Sequence, residues 1–329
     1  MVLLLGAALS WYIAAHAAAA ALPKRASAFI LGGGLPALAG VVWFALTGRT
    51  EAALALALGT AVASSTLVLG LVANAEPTEG RRVLDDPGRR LKAMLLPVAV
   101  TFLVAGFAGA LSLLHGILLL AEGGIIAWLG LASRRAVPTA TVAGGPVAEK
   151  PEPGGSWWLR GPVIVLAAIL GTAGAGLAAG AASAASRRQG MELDAAFATL
   201  LVAAILALPL IGIGTRFSIF GQGLVAQRGL ALLAVYMVCL AIPVATFIDI
   251  GRQASDRLAE GGAWLSLLRD PPSVPLPQRL WRADSIVLCL AGLLLLPPAA
   301  GRYRLGKLEG VGLIVLYLAF LFLTLVWSW

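Results

Sequence analysis

Residues 52–73 have the sequence AALALALGTAVASSTLVLGLVA, which contains no charged side chain. A helix needs about 20 mostly apolar residues to cross the hydrocarbon core of a bilayer, and this run is long enough. Similar runs recur along the 329-residue chain, which is 60% hydrophobic and only 12% charged. Because soluble domains carry about 25% charged residues, a water-soluble fold is excluded. The sequence therefore indicates an all-α integral membrane protein.

About ten apolar runs are long enough to cross the lipid bilayer. They are residues 2–21, 28–46, 52–73, 93–111, 113–133, 161–185, 195–214, 226–248, 284–300 and 308–328. The first run ends in small residues that resemble a secretory signal, which is one interpretation of it. No positive charge precedes this run, and Lys24 and Arg25 follow it, so a retained first helix is favoured.

The basic residues predict an orientation for these helices. With the start of the chain outside, 16 of the 24 Lys and Arg residues fall in or beside cytoplasmic segments. The other eight fall outside: Arg49, Arg187, Arg188, Arg252, Arg257, Arg269, Arg279 and Arg282. Since cytoplasmic segments of membrane proteins are enriched in Lys and Arg, we expect both termini outside a bacterial-type inner (plasma) membrane. The net charge of +8 then reflects topology, not nucleic-acid binding.

A Pro/Gly-rich stretch, AVPTATVAGGPVAEKPEPGGS at residues 136–156, predicts a flexible cytoplasmic linker. It separates a first five-helix membrane repeat, residues 1–135, from a second, residues 157–329. Five crossings per half make the second half enter the membrane from the opposite side. Related halves would then form two inverted five-helix repeats, an arrangement found in many secondary transporters.

Each half carries a Leu-Pro pair in its second helix, ending at Pro36 and at Pro209. Proline removes a backbone donor and clashes with the preceding turn, so we expect Pro36 and Pro209 to break their helices. Corresponding breaks in two halves point to a binding site near the membrane midplane. Coincidence is the alternative, because membrane helices tolerate proline.

Polar groups inside the apolar runs are the other candidates for a transport pathway. Thr60 and Ser64 stand four residues apart on one helix face, and Ser65 follows. These hydroxyls suit an ion pathway or, equally, a tight packing seam between helices. Glu122 lies near the middle of the fifth run, where an ionisable group is costly. It has either a proton or cation role or a hydrogen-bonded, neutral place in the bundle.

These features resemble the calcium/cation antiporter superfamily, the sodium/calcium exchangers and their bacterial relatives. Each half of that family carries GTSLPE on its second helix and a GN-x-x-GSN-x-x-N-like segment on its third. Here residues 32–37 are GGGLPA, and residues 59–71 contain Gly59-Thr60, Ser64 and a closing LVLGL. Residues 304–310, RLGKLEG, resemble the start of the family's final helix. The resemblance implies exchanger-like cation transport, with Gly33 and Gly34 in the ion pathway where the family has Thr-Ser.

The same resemblance exposes departures that bear on the ion. The family's glutamate after Leu-Pro, which the resemblance makes an ion ligand, is replaced by Ala37 and by Leu210. Ca²⁺ takes six to eight oxygen ligands, usually including carboxylates. The two substitutions therefore argue against calcium exchange, and the sequence identifies no metal-ligand set.

Two functions follow from the residues and the resemblance. The first is a sodium/calcium exchanger-like secondary cation transporter that moves a monovalent or divalent cation or a proton. The second is a non-transporting relative that acts as a structural or partner-binding membrane subunit. An enzyme is not expected, because HExxH, paired-aspartate, P-loop and cofactor-binding motifs are absent from the sequence. Neither a cofactor nor a nucleic-acid partner is predicted.

The long segment at residues 249–283 is predicted to lie at the outer membrane surface. Residues 253–269 favour an interfacial helix that ends before Pro271-Pro272. Trp264 and Trp281 are typical of aromatic residues that anchor a segment at the membrane interface. A docking surface for a partner protein is the alternative.

Overall fold

The computed structural model describes residues 2–20, 29–75, 90–135, 157–189, 203–219, 223–260, 267, 269–276, 278–299 and 305–328. The α-helices in these ranges are α1 (Val2–Ala20), α2 (Leu35–Leu46), α3 (Thr50–Ala63), α4 (Leu69–Ala75), α5 (Arg90–Ala93), α6 (Leu95–Gly106), α7 (Leu113–Arg135), α8 (Trp157–Gln189), α9 (Ala203–Ile219), α10 (Gly223–Tyr236), α11 (Ile242–Ala259), α12 (Gln278–Ala299) and α13 (Lys307–Ser328). Two short strands accompany them, β1 (Ala110–Leu111) and β2 (Val274–Pro275).

Several of these helices have the length and composition needed to cross a membrane. Four helical stretches in the described ranges qualify by both criteria: Thr50–Ala75, Gly161–Ala178, Gly223–Ala259 and Lys307–Thr324. Shorter apolar helices pack beside them. Large apolar side chains such as Leu114, Trp128 and Phe322 are exposed on the outside of the bundle, as expected where lipid replaces water. The predicted all-helical architecture is confirmed for these ranges.

Within the described residues, three π-helical turns interrupt the regular α-helices. Ile30–Gly34 leads directly into α2, Ser64–Val68 joins α3 to α4, and Met237–Ala241 joins α10 to α11. Helical backbone is therefore continuous across Thr50–Ala75 and Gly223–Ala259. A π-turn widens the helix and changes which side chains share a face, and such turns are frequent at functional sites.

The segment after the long helix Gly223–Ala259 differs from its prediction. Residues 253–259 continue α11, so the expected separate interfacial helix over 253–269 is wrong in its first part. Residues 252–259, RQASDRLA, contain neither glycine nor proline, so nothing breaks the helical hydrogen bonding there. Trp264 and residues 136–156 lie outside the described ranges.

α1 and α8 pack closely along their length through glycines. A Cβ built on Gly6 would lie 3.1 Å from Leu177, and one built on Gly174 would lie 2.6 Å from the Trp11 ring. Trp11 is buried, and its Nε1–H donates to the Gly171 carbonyl oxygen at 3.0 Å. Small residues permit this approach, which is typical of helix pairs in membranes.

α6 and α12 form a second close pair, although they lie on opposite sides of residues 136–156. The Trp281 ring lies directly on Gly106, where no Cβ would fit, and its Nε1–H donates to the Phe102 carbonyl oxygen at 3.3 Å. Trp281 is only 1% exposed, so its predicted place as an interfacial anchor is wrong. Its indole instead fills the notch that Gly106 leaves in α6.

A small antiparallel ribbon closes the same end of the bundle. β1 and β2 pair with Ala110 opposite Pro275 and Leu111 opposite Val274. The ribbon ties the α6–α7 connection to the segment before α12, and we call this part of the molecule the ribbon end. Because the ribbon has only two residues per strand, packing on the helices must hold it in place.

The ribbon end also holds an ion pair that joins three segments. Asp249 of α11 is 4% exposed and accepts hydrogen bonds from Arg252 at 2.6 Å and from Gln253 at 2.9 Å. Gln253 also donates to the Ser273 carbonyl, and the Arg252 guanidinium lies against Gly48. Gly48 has a φ of +80°, which glycine adopts without strain, so the turn before α3 fits under the guanidinium.

Trp281→Phe is expected to lower the free energy of unfolding by about 2 kcal/mol. The change removes the indole donor to the Phe102 carbonyl and part of the ring that covers Gly106. Thermal unfolding in detergent measures the loss. Trp43→Phe is the matched control, because Trp43 is 38% exposed. Equal losses in the two variants would contradict the packing role of Trp281.

Candidate functional site

The π-turn before α2 meets α9 at the position where the resemblance places the ion ligands. A Cβ built on Gly33 would lie 2.5 Å from Leu210 Cδ2, so the Leu210 side chain fills the space that Gly33 leaves open. Gly33 is buried, and Leu210 is 1% exposed. We call this contact the Gly33–Leu210 crossing. Its chemistry is apolar, since neither residue offers a side-chain oxygen.

The other walls around the crossing are apolar too. A Cβ built on Gly34 would lie 3.0 Å from Leu233 and 3.1 Å from the Tyr236 ring, both on α10. Ala37 is 0% exposed. The structure therefore brings the predicted residues Gly33 and Gly34 together with α9 and α10. The atoms nearest to Gly33 and Gly34 are carbon atoms, which do not replace the hydration shell of an ion.

The two prolines do not end their helices. Pro36 is buried at the start of α2, directly after the π-turn, and Pro209 lies inside α9 with helix on both sides. At Pro36 the structure has a π-turn where a break was predicted. At Pro209 the helix continues without a break. Neighbouring helices support such prolines; at Pro36 the support is α8, where a Cβ on Gly171 would lie 2.7 Å from the proline Cα.

The predicted hydroxyls all donate within their own helix. Thr60 donates to the Leu56 carbonyl at 2.7 Å, Ser64 to Ala61 at 3.0 Å and Ser65 to Ala61 at 2.8 Å. All three hydroxyl-bearing residues are at most 1% exposed. Their hydrogens satisfy the backbone, so in this conformation the hydroxyls behave as members of a packed seam. Only the lone pairs of their oxygen atoms remain free to coordinate an ion.

Glu122 lies beside the π-turn Met237–Ala241, not in the Gly33–Leu210 crossing. A hydrogen bond from Thr101 reaches its carboxylate, while Oε2 is buried without a partner among the described residues. The adjacent Gly123 packs on Cys239, with a Cβ distance of 2.8 Å. Gly34, beside the crossing, contacts Tyr236, which is three residues before Cys239 on the same continuous helix. Three residues of helix rise by about 4.5 Å, so Glu122 and the crossing lie at similar depth in the bundle.

Lys92 and Asp284 are buried charged-type residues that the sequence reasoning did not single out. Lys92 is 3% exposed, and its Nζ donates to Gln227 Oε1 at 3.3 Å, joining α5 to α10. Asp284 of α12 is 0% exposed. Both residues stand at the ends of apolar runs, where hydropathy cannot distinguish a water-facing charge from a buried one. Within the described ranges, no group of three or more His, Cys, Asp and Glu residues is placed to hold a metal ion.

The fold is similar to that of two solved cation exchangers. The sodium-calcium exchanger NCX_Mj superposes with a TM-score of 0.59 over 97% of this chain and 93% of its own, at 18% identity. The H⁺/Ca²⁺ exchanger CAX superposes with a TM-score of 0.61 over 99% of this chain and 88% of its own, at 16% identity. No protein-family model matches the sequence, and no curated protein matches it significantly.

The predicted resemblance is therefore confirmed for the fold. The chain has the fold of the exchangers NCX_Mj and CAX, and its long apolar helices are those of an integral membrane protein. The match extends over almost the whole chain, so both sides of residues 136–156 contribute to it. At these identities the likeness concerns architecture, and the ion-binding chemistry has to be judged from the residues present.

Proposed function

We propose that the chain is an exchanger-like secondary cation transporter that does not exchange Ca²⁺ through the Gly33–Leu210 crossing. In this proposal it spans a bacterial-type inner membrane ten times as two inverted five-helix repeats, residues 1–135 and 157–329. Both termini lie outside, and residues 249–283 contain the outer interfacial segment. Transport follows from rocking of one repeat against the other around a site near the midplane. The exchange activities in the names of NCX_Mj and CAX support cation transport.

The packed crossing carries the argument against calcium. Leu210 occupies the space beside Gly33, and Ala37 stands where the resemblance expects a second carboxylate. A divalent ion there would have no negative charge beside it and few oxygens to replace its hydration shell. Burying such an uncompensated charge is strongly unfavourable. The crossing therefore does not suit a divalent cation, although the surrounding fold is similar to that of the exchangers.

Glu122 is the best candidate for the charge that compensates the transported ion. It is a carboxylate at the depth of the crossing, partly buried and close to a π-turn. Intramembrane carboxylates are costly and commonly mark ion or proton pathways. One carboxylate balances one positive charge, which favours a monovalent cation or a proton.

The second candidate function is a membrane subunit that binds a partner and moves no ion. The same apolar crossing favours it, because a bundle without a route for ions can still serve as a scaffold. Hydroxyls that donate within their own helix, as at Ser64 and Ser65, fit this function as well. It predicts a partner protein that co-purifies in fixed stoichiometry.

Flux in proteoliposomes separates the two functions. We expect flux driven by a Na⁺ or proton gradient, no Ca²⁺ uptake, and a fall on the order of 100-fold in Glu122→Gln. Glu51→Gln is the matched control, because Glu51 is exposed at the start of α3 and should transport normally. Absence of flux for Na⁺, K⁺, Ca²⁺ and H⁺ would reject transport of these ions. Flux unchanged in Glu122→Gln would reject the role of that carboxylate.

A further inference from the structure

Asp284 lies deep in the packed bundle without a hydrogen-bonding partner. Its side chain is 0% exposed, and neither Oδ1 nor Oδ2 bonds to any residue in the described part of the chain. The adjacent Ser285 is also 0% exposed, and its Oγ has no partner there either. Since buried polar groups are nearly always paired, two unpaired neighbours require an explanation.

The α6 wall beside Asp284 has no charge. Trp281, one turn before Asp284, bonds to the Phe102 carbonyl, and Gly292 on the same helix contacts Leu96. Asp284 therefore lies alongside the stretch of α6 between these two contacts. Residues 96–102 of this stretch include no Asp, Glu, Lys, Arg or His.

Charged residues on the other helices that pack against α12 are occupied or distant. The charged and titratable residues of α3, α5 and α13 are Glu51, Arg90, Lys92, Lys307, Glu309 and Tyr317. Glu51 and Lys307 are exposed. Lys92, with Arg90, belongs to α5 at the end of the bundle opposite the ribbon end, and Glu309 accepts the Gly306 backbone N–H. No ion pair forms at Asp284 among the residues that the structure describes.

We propose that Asp284 and Ser285 form a binding site for one monovalent cation, a proton or an alkali ion such as Na⁺. An isolated carboxylate in an apolar interior is tolerated only when positive charge accompanies it. One carboxylate balances one unit of charge. The described ranges hold no cluster of carboxylates that would suit a divalent ion. The Ser285 hydroxyl can donate to the carboxylate or supply an oxygen ligand.

Asp284 and Ser285 stand on α12, whereas the Gly33–Leu210 crossing is formed by other helices and Glu122 stands on α7. Thr101, which bonds to Glu122, belongs to the stretch of α6 that passes Asp284. The proposed site lies on α12 near the ribbon end, at the contact with α6, so its occupant binds where segments from the two sides of residues 136–156 meet. Cation binding there stabilises this contact by mass action, whether or not the chain transports ions. The proposal therefore does not depend on the proposed function.

Thermal unfolding of the purified full-length chain tests the site. If Na⁺ binds, replacing choline chloride with NaCl at constant ionic strength should raise the wild-type melting temperature by about 5 °C. If a proton binds, raising the pH should lower the melting temperature, and an infrared band from a protonated carboxyl should be present. Asp284→Asn should remove whichever response the wild type shows, together with the infrared band.

Asp249→Asn is the matched control, because Asp249 is also buried but is paired with Arg252 and Gln253. It should melt at a lower temperature and keep the wild-type cation and pH responses. Ser285→Ala retains the carboxylate and serves as a second variant; it should raise the Na⁺ midpoint about tenfold if Ser285 is a ligand of Na⁺. A wild type insensitive to Na⁺ and pH would overturn the proposal, as would a response retained in Asp284→Asn.

Discussion

Gly70→Ala is expected to lower the free energy of unfolding by about 3 kcal/mol, because it forces two helix backbones apart. A Cβ built on Gly70 would lie 2.6 Å from the Gly310 carbonyl oxygen and 2.8 Å from Ile314. A carbonyl cannot rotate away as a side chain can, so α4 and α13 must separate. Helix pairs held by small residues depend on this close approach. Thermal unfolding in detergent should show an apparent melting temperature about 5–10 °C below wild type.

Gly310 gives the reciprocal contact, and Gly312 gives the control. A Cβ on Gly310 would lie 2.9 Å from the Gly70 carbonyl oxygen, whereas one on Gly312 would meet nothing within 4 Å. Gly312→Ala should be neutral or slightly stabilising, since alanine favours helix over glycine by about 1 kcal/mol. Similar melting temperatures for Gly70→Ala and Gly312→Ala would show that α4 and α13 do not touch at these glycines.

Leu210→Glu should be the most damaging single substitution at the crossing, with a loss of about 4 kcal/mol or more. The new carboxylate would replace a side chain that is 1% exposed and would face Gly33, which has no side chain to donate to it. Although the resemblance implies a glutamate at this position, the present surroundings are apolar. The yield of folded, monodisperse protein and its melting temperature provide the measurement.

Leu210→Met controls for the change of shape, because a flexible apolar side chain of similar volume costs less than about 1.5 kcal/mol. Ca²⁺ titration of the Leu210→Glu variant adds a second measurement. We expect no stabilisation, since Ala37 leaves the opposite wall without a carboxylate. A Leu210→Glu variant as stable as wild type, or one stabilised by Ca²⁺, would mean that the crossing keeps space and ligands for an ion.

The fold was accessible from the sequence because lipid imposes a simple pattern. Runs such as residues 52–73 and 308–328 carry the long apolar lengths that a bilayer requires, and both are helical in the structure. The fragments LVLGL and KLEG, which supported the resemblance, contain Gly70 and Gly310, and these two residues meet across α4 and α13. Hydropathy therefore located the helices, and the eroded fragments located one of their contacts.

The site was less accessible because apolar helices do not show which face is buried. A helix that is apolar on all sides has no stripe to indicate its neighbour, so the packing of Leu210 on Gly33 could not be derived. Asp284 and Lys92 stood at the edges of apolar runs, where a charge usually meets water. Trp281 was assigned to the interface for the same reason, since aromatic residues are common there.

The joint between α6 and α12 limits how this molecule can change shape. The Trp281 indole lies on Gly106 and bonds to Phe102, while the pairing of Leu111 with Val274 fastens the same end. Sliding of these helices would have to expel a buried indole and break the ribbon at once. We therefore expect α6 and α12 to stay in contact at this end of the bundle during any change of conformation, so that one half pivots against the other at this joint.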